Sequence, residues 1–472
     1  MRTDCTAGQL EFQGFGRREV VGAFDGGRQT SDGGVLLLRE VAERTGLIRR
    51  FAACFTDHRK PELIEHTVEE LVGQRVLAQA IGYEDLNDHD TLRDDALLAL
   101  AAGKRDLTGE RRRREQDQGH ALAGRATLNR LELTPAEATA ASRYKKIVYD
   151  GEAIAGLFVE HFLEAHEGPP ERVVLDLDAT DDPLHGHQEG RFFHGYYGHY
   201  CYLPLYIFCG EFLLCARLRP SDRDASAGAL EEVERIVRQI RARWPEVEIW
   251  IRADSGFARE EILAWCEAND VGYMIGLARN ARLEAAIETE LDEAQQACER
   301  TGEPARVFKD LRYRTRKSWS RERRVVAKAE ALPGKTNPRF VVSSLSPERV
   351  EARGLYEQIY CARGDMENRI KEQQLGMFAD RTSTATMRAN QLRLWIASLA
   401  YVMVHELRRV GLRGTVLARA QVSTIRLRLL KIGATVQVSV RRVRIAFSSV
   451  FPLQDLFAQV LHQLQRHYPL RA

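Results

Sequence analysis

Apolar residues recur at helical spacing along the first 150 residues of the chain. The segments GGVLLLREVAERTGLIRRFAACF and TVEELVGQRVLAQAIGYEDL place them every three or four positions, which predicts helices separated by the loop FTDHRKPEL. The run RRRR at residues 111–114 is typical either of a DNA-contacting helical domain or of a solvated basic loop beside a bundle. We predict a helical N-terminal domain over residues 1–150 and expect it to bind DNA.

The pattern changes to alternating and β-branched runs after residue 150. ERVVLDLDAT predicts a strand, and YYGHYCYLPLYIFCGEFLLCARLRP predicts two aromatic-rich strands that turn at Cys209-Gly210-Glu211. Helices are predicted for GALEEVERIVRQIRARWP and AREEILAWCEAND, and strands for EVEIWIRAD and VGYMIGL. Three strands, a helix, a strand, a helix and a fifth strand indicate a mixed α/β sheet of five strands with flanking helices.

A β-rich insertion follows the fifth strand. The helix LEAAIETELDEAQQACER leads to short strands in RVFKDLRYRTRKSW, ERRVVAKAE and RFVVSSL, which predicts an insertion domain over residues 280–345. The sheet domain then occupies residues 151–279 and 346–410. A C-terminal region over residues 411–472 contains the strand-like stretch TVQVSVRRVRIAFSSV and a final helix.

Composition narrows the class of protein. A chain of 472 residues with 44% hydrophobic and 29% charged residues is expected to fold into two to four globular domains. The eight cysteines include no CxxC pair, which predicts reduced thiols rather than disulfides or a zinc site. No apolar run is long enough to span a bilayer, and the first 20 residues lack a signal-peptide core, so we expect a cytoplasmic protein.

Acidic side chains stand at the ends of two predicted strands. Period-2 geometry places Asp176 and Asp178 on one face of the first strand, which is costly unless they meet water or a cation. Asp254 ends the fourth strand, just before a glycine and a new helix. Active-site residues of open α/β sheets concentrate at such strand ends, although an Asp there is also a common helix cap.

The helix RGLYEQIYCARGDMENRIKEQQLGMF carries charges and aromatic rings on one face. That face is formed by residues that step by three or four: Tyr356, Tyr360, Arg363, Glu367, Lys371 and Gln374. Such a stripe is usually a solvated face with ion pairs between neighbouring turns. The aromatic residues and the adjacent apolar helix argue against full exposure here.

These signals together resemble the DDE transposases of bacterial insertion sequences, in the group that has a β-strand insertion before the last catalytic residue. The resemblance covers residues 25 to 410 and rests on Asp178-Ala179-Thr180, on Asp254, and on Tyr360-x2-Arg363-x3-Glu367. The order of elements also matches the ribonuclease H-like fold. One departure is that the family's lysine seven residues after the Glu is Gln374 here, and Lys371 is its candidate substitute.

The resemblance implies that Asp178, Asp254 and Glu367 bind two Mg²⁺ or Mn²⁺ ions, which suits the preference of hard cations for carboxylate oxygen. Asp176 and Asp181 are the rival candidates for the first ligand. Water would first nick the transposon end, and the freed 3′-OH would then attack the opposite strand or target DNA. Tyr360, Arg363 and Lys371 would hold the phosphates that flank the cut.

The insertion contains the basic stretch LRYRTRKSWSRERRVVAK, which includes Arg316, Lys317 and Trp319. Its charge density indicates contact with a nucleic-acid backbone. By resemblance, Trp319 is a candidate to stack on a base flipped out near the cut, and the alternative is an aromatic residue that covers the small core of the insertion.

The expected partners are double-stranded transposon ends and target DNA, bound by a homodimer when two ends are paired. The expected reaction is strand cleavage and strand transfer, by a cut-and-paste route. Two alternatives remain: a structure-selective nuclease of the same fold, which would cut DNA without joining it, and a domesticated DNA-binding derivative that has lost its chemistry.

Overall fold

The computed structural model describes residues 9–468, which form two compact units. The first unit contains the residues up to Tyr149 and those from Leu399 onward, and the second contains Asp150–Ser398. This grouping differs from the four regions expected from the sequence. The segment predicted as an insertion domain belongs to the second unit, and the C-terminal region belongs to the first.

The first 149 residues contain short strands as well as the predicted helices. The helices are α1 (Val35–Thr45), α2 (Leu47–Ala53), α3 (Val68–Ile81), α4 (His89–Leu92), α5 (Ala96–Ala101) and α6 (Arg125–Glu132). The strands are β1 (Leu10–Phe15), β2 (Arg18–Gly22), β3 (Gln29–Thr30), β4 (Phe55–Asp57) and β5 (Ile147–Tyr149). A purely helical N-terminal domain was therefore an incomplete prediction, since β1 and β2 form an exposed antiparallel hairpin.

The second unit contains most of the strands. Its helices are α7 (Gly151–Glu164), α8 (Ala229–Arg243), α9 (Glu260–Ala268), α10 (Ala281–Ala285), α11 (Glu288–Thr301), α12 (Ala352–Gly354) and α13 (Gly364–Lys371). Its strands are β6 (Arg172–Ala179), β7 (Asp182–Pro183), β8 (Phe192–His194), β9 (His199–Tyr202), β10 (Leu205–Cys209), β11 (Phe212–Arg217), β12 (Glu248–Ala253), β13 (Gly272–Leu277), β14 (Ala305–Tyr313), β15 (Arg323–Leu332), β16 (Lys335–Thr336) and β17 (Arg339–Ser343).

The remaining elements carry the chain back into the first unit. They are α14 (Met387–Glu406), α15 (Val422–Ile425), α16 (Gln454–His467), β18 (Ala434–Val438) and β19 (Val443–Phe447). The predicted strand-like stretch is thus a hairpin, in which β18 pairs with β19 on one side and with β3 on the other.

One large mixed sheet organises the second unit. Its strands follow the order β11-β10-β6-β12-β13-β17-β15-β14, and β16 pairs with β15. The strands β6, β12 and β13 are parallel, and the other pairs are antiparallel. The five predicted strands are therefore all present as neighbours. The expected count of five was too low, because the strands of the insertion extend the same sheet.

The two faces of this sheet bury different side chains. On β6, Val173, Leu175 and Leu177 point into a core that α8 and α9 also line. The opposite face packs Trp250 and Met274 against the segment that follows α12. Period-2 alternation puts Asp176 and Asp178 on this second face, as the sequence predicted. Helices on both faces make the unit a three-layer structure.

Trp319 lies in the buried core rather than on a DNA-facing surface. Its side chain is 3% exposed and belongs to the same cluster as the residues of β6 and β15. Tyr313 packs edge-on against the indole, with ring centroids 5.8 Å apart, and the Arg323 guanidinium lies 5.3 Å from the ring centroid. Of the two alternatives for Trp319, a base-stacking residue and an aromatic residue of the core, the burial agrees with the second, because Tyr313 of β14 and Arg323 of β15 flank the indole.

Replacing Trp319 with alanine is expected to lower stability by about 3–5 kcal/mol, since it removes a buried aromatic side chain and leaves a cavity. Trp319→Phe should cost clearly less, because it keeps most of the ring packing. Thermal unfolding followed by circular dichroism measures both. An unchanged unfolding temperature in the alanine variant would contradict the buried position.

Candidate active site

Two carboxylates stand side by side where neighbouring parallel strands end. Leu177 of β6 and Ala253 of β12 are register partners, so the next residues, Asp178 and Asp254, lie at the same edge of the sheet. Asp178 Oδ1 accepts a hydrogen bond from the Ala179 amide at 2.9 Å. This pairing of strand ends is where α/β sheets usually place ligands and reacting groups.

Asp254 also caps the turn that follows its strand. Its Oδ1 accepts a hydrogen bond from the Gly256 amide at 2.9 Å, at the start of the short 3₁₀ helix Ser255–Phe257. No hydrogen bond reaches Oδ2 within residues 9–468. The capping and functional interpretations are therefore compatible, because the cap fixes the carboxylate and leaves one oxygen for another partner.

The neighbouring acid on β6, Asp176, forms an ion pair inside the protein. Arg252 donates to both oxygens of Asp176, with Nη2 to Oδ2 at 2.7 Å, and its Nη1 donates to the Ile359 carbonyl at 2.6 Å. The Asp176 side chain is 5% exposed. Burial raises the pKa of Asp176, and the Arg252 guanidinium opposes that rise. Asp176 thus has a fixed partner inside the protein, whereas Asp178 reaches the edge of the sheet.

The segment from 352 to 376 is one continuous helical run that carries the predicted Tyr-Arg-Glu pattern, and we call it the carboxylate helix. It includes α12, a π-helical segment at Leu355–Tyr360, a 3₁₀ turn at Cys361–Arg363, α13 and a second π-helical segment at Glu372–Gly376. Wide π turns often occur at functional sites, because they shift the side chains that follow.

The aromatic end of the carboxylate helix packs onto the sheet. Tyr356 is buried, and its ring centroid lies 5.7 Å from that of Tyr360. Burial raises the pKa of Tyr360, with a smaller contribution in the same direction from Asp254 and an opposing one from Arg363. The fully solvated face that is usual for such a stripe is therefore absent at this end.

Arg363 joins the helix to the first strand. Its Nη1 lies 3.3 Å from Asp178 Oδ2, and its Nη2 donates to Glu367 Oε1 at 2.8 Å. Glu367 is 46% exposed, whereas Asp178 and Arg363 are 15% and 18% exposed. One guanidinium therefore bridges two of the three predicted acids, and Glu367 can still turn toward solvent.

The acids also influence one another electrostatically. Burial raises the pKa of Asp178 to about 6, the Asp254 and Glu367 carboxylates add to that rise, and Arg363 opposes it. The same carboxylates hold the pKa of Arg363 above its ordinary range despite partial burial. The site has excess negative charge, which an added cation would relieve.

The donor set fits a hard divalent cation, although the side chains are not closed around one. Mg²⁺ and Mn²⁺ prefer carboxylate oxygen, and Asp178, Asp254 and Glu367 supply it. Within residues 9–468 no three His, Cys, Asp or Glu side chains stand close enough to hold an ion together. Arg363 lies between two of the acids. A cation held by these acids would therefore compete with Arg363 for them.

A cleft beside Asp254 contains two further arginines that sequence reasoning missed. Arg279 and Arg339 line it together with Tyr360 and Arg363. The strand register explains why Arg279 and Arg339 lie close together: Leu277 of β13 pairs with Phe340 of the antiparallel β17, and each arginine is near one of these two residues in the chain. Both arginines are exposed, and neither has an ion pair in the part of the chain that the structure describes. Recognising that β17 joins the main sheet would have revealed them.

Gln374, the residue that departs from the family's pattern, lies near the end of the carboxylate helix. Gln374 donates to the Asp181 carbonyl at 3.0 Å, and the Asp181 carboxylate pairs with His199 at 2.8 Å. Lys371 is exposed and has no ion pair among residues 9–468. Tyr197 also lies near these acids, since burial, Asp181 and Asp178 raise its pKa to about 12.

The basic loop of the insertion is not brought to this cluster. Arg316 and Lys317 lie exposed between β14 and β15, beside the β15 residue Arg323. Arg339 of the cleft pairs instead with Lys328, in the middle of β15. Among residues 9–468, Arg316 and Lys317 make no ion pair with Asp178, Asp254 or Glu367, and their contact with a DNA backbone stays a prediction.

A family model described as transposase DDE domain group 1 matches residues 12–469, which is nearly the whole chain. The chain belongs to the DDE transposase family. No curated protein matches it significantly. Membership makes transposition the general activity of this protein. In the described part of the transposase, no helix is both long and apolar enough to cross a bilayer.

Two acids on one face of β6 should respond oppositely to neutralisation. A carboxyl whose pKa is raised by folding destabilises the fold once ionised, so this cost is absent at low pH and grows as pH rises from about 4 to about 6. In metal-free buffer, Asp178→Asn should raise the unfolding temperature at pH 7.5, by a gain of order 1–3 kcal/mol, and less at pH 5.

Asp176→Asn is the matched comparison. Burial raises the pKa of Asp176 too. Here, however, the substitution leaves the Arg252 guanidinium inside the protein without its carboxylate, which should lower the unfolding temperature at both pH values, by roughly 3 kcal/mol. Thermal unfolding with EDTA measures both variants. Equal effects of the two substitutions would contradict the different environments described for them.

Gly276 leaves room for the cleft. A Cβ atom there would lie 2.6 Å from the Tyr360 hydroxyl and 3.0 Å from the Ser255 amide. Gly276→Ala should therefore shift Tyr360 and the Asp254 turn, and reduce metal-dependent DNA cleavage by tenfold or more, on the order expected for small misplacements. Gly364→Ala on the carboxylate helix meets nothing within 4 Å and should keep activity. Equal activity of both variants would show that cleavage does not depend on the shape of the cleft at Gly276.

Proposed function

We propose that this transposase cleaves DNA strands at the ends of its element and transfers the freed 3′-OH to target DNA, with Asp178, Asp254 and Glu367 as the metal ligands. The observation that carries the proposal is the meeting of Asp178 and Asp254 at neighbouring strand ends, with Glu367 tied to Asp178 through Arg363. The strand order β11-β10-β6-β12-β13 supports a ribonuclease H-like sheet around them.

Asp178 rather than Asp176 or Asp181 is the proposed ligand on β6. The carboxylates of Asp176 and Asp181 have partners in Arg252 and His199. When bound by the three acids, two Mg²⁺ or Mn²⁺ ions would activate the attacking oxygen and stabilise the leaving one. The protein contributes carboxylates whose repulsion favours the bound cations.

The arginines of the cleft are proposed to hold the DNA backbone. Arg279 and Arg339 present exposed guanidinium groups beside Asp254, and such groups bind phosphate oxygens in pairs. Arg363 is proposed to exchange its carboxylate partners for a phosphate when DNA binds. Tyr360 orients that end of the cleft, and Lys371 adds a positive charge one turn beyond Glu367.

The pathway and assembly follow from the family resemblance. We propose cut-and-paste transposition by a homodimer that pairs two transposon ends, in the cytoplasm. The buried position of Trp319 removes it from the proposed base-stacking step. The loop with Arg316 and Lys317 is proposed to contact DNA away from the cut.

Asp178→Asn, Asp254→Asn and Glu367→Gln should each reduce Mg²⁺- or Mn²⁺-dependent cleavage of a transposon-end duplex by at least a thousandfold. Duplex binding in EDTA should change less than about threefold, because the cleft arginines remain. Gel analysis of cleavage and strand transfer, with fluorescence anisotropy for binding, measures these effects.

Asp181→Asn serves as the control carboxylate and should keep cleavage. Full cleavage by any of the three active-site variants would remove that residue from the mechanism. Cleavage by the wild-type protein without any joining of ends to target DNA would favour a structure-selective nuclease.

A further inference from the structure

The chain between Glu406 and Asp455 contains no acidic residue. Residues 407–454 include ten Lys and Arg, whereas the whole chain has nearly balanced totals of 69 basic and 67 acidic residues. Solvated surfaces normally mix both signs, because a block of like charge repels itself. Folding alone therefore does not explain this segment.

Some of these basic side chains bind partners within the first unit. Four of the ten basic side chains have protein partners, namely Arg408 with the Ala420 carbonyl, Arg409 with Glu406, Arg426 with the Ala80 carbonyl and Lys431 with Asp32. The other six are exposed and have no ion pair among residues 9–468: Arg413, Arg419, Arg428, Arg441, Arg442 and Arg444. The excess positive charge therefore faces solvent.

Three of the exposed arginines belong to the β18–β19 hairpin and its tip. The Ser439 amide donates to the Arg442 carbonyl at 2.9 Å, and the Arg442 amide donates to Ser439 Oγ at 3.1 Å, so the turn is held at both sides. Arg441 and Arg442 stand in this turn, and Arg444 follows in β19. Val440 at the apex is fully exposed.

The base of the hairpin is fixed to the rest of its unit. Ala434 and Thr435 of β18 pair with β3, and the Val436 amide donates to the Arg28 carbonyl at 2.8 Å. A cationic tip on an anchored base loses little conformational freedom when it binds a ligand.

We propose that this hairpin is a second DNA-binding element, which grips the phosphate backbone of duplex DNA. Arginine forms bidentate pairs with phosphate oxygens, and a regular line of phosphates is the partner that three closely spaced guanidinium groups match best. The inference rests on the proposed function for the identity of the DNA, and it adds a contact outside the catalytic unit's own residues.

The test measures duplex binding by the full-length protein in EDTA. Fluorescence anisotropy gives the binding constant K at a series of salt concentrations. The variant is Arg441→Ala with Arg442→Ala and Arg444→Ala. Each lost phosphate contact lowers the slope of log K against log[salt] by about 0.9, so the slope should fall by about 2–3. Affinity near 100 mM salt should drop by about tenfold or more, for transposon-end and unrelated duplexes alike.

The matched control replaces three other exposed arginines with alanine, namely Arg238, Arg243 and Arg300. They lie on α8 and α11, two helices that pack on the sheet face opposite Asp178. This control makes the same change in net charge and should leave the slope nearly unchanged. Equal losses in both variants would reduce the effect to net charge and overturn the proposal. An unchanged slope in the hairpin variant would overturn it too.

A crosslinking measurement keeps the inference testable if the triple variant folds poorly. Val440→Cys, labelled with a photoreactive thiol reagent, should crosslink to bound duplex more than the labelled wild-type protein does. No added crosslink would overturn the proposal. A wild-type protein that fails to bind duplex at all would instead contradict the proposed function, which separates the two failures.

Discussion

The arrangement of the active site depends on one largely enclosed guanidinium, that of Arg252. Arg252 extends from β12, pairs with Asp176 on the adjacent β6 and donates to the Ile359 carbonyl of the carboxylate helix. It therefore connects β6 and the carboxylate helix, which carry Asp178 and Glu367, with β12, which Asp254 directly follows. A buried ion pair contributes little net stability compared with apolar packing, but it fixes geometry, since removing either partner strands a charge. We infer that Asp176 serves to orient the site rather than to bind metal.

The balance between carboxylates and guanidinium groups at the edge of the sheet determines what the site can bind. Burial raises the pKa of Asp178, the Asp254 and Glu367 carboxylates add to the rise, and Arg363 opposes it. The Arg363 guanidinium bridges two of the proposed metal ligands, and it is also a group that binds phosphate well. Binding of DNA and of divalent cations would therefore be linked in the proposed mechanism, because the phosphate that attracts Arg363 also frees the carboxylates.

Local sequence patterns predicted the elements of the second unit well. The alternation in ERVVLDLDAT placed Asp178 on the correct face, and the spacing of Tyr360, Arg363 and Glu367 placed them on one side of a helix. Periodicity does not reveal which sheet a strand joins. For that reason the insertion was expected to form its own domain, Arg279 and Arg339 were missed, and the two alternatives for Trp319 could not be separated.

Mn²⁺ binding tests most directly whether Asp178, Asp254 and Glu367 form a site for two divalent cations. Electron paramagnetic resonance can count Mn²⁺ bound to the protein with an uncleavable transposon-end duplex. The proposed mechanism predicts two ions per chain with a spin-coupled signal, and loss of that signal when Asp178→Asn and Glu367→Gln are combined. Equal Mn²⁺ binding by the wild-type and doubly substituted proteins would contradict it.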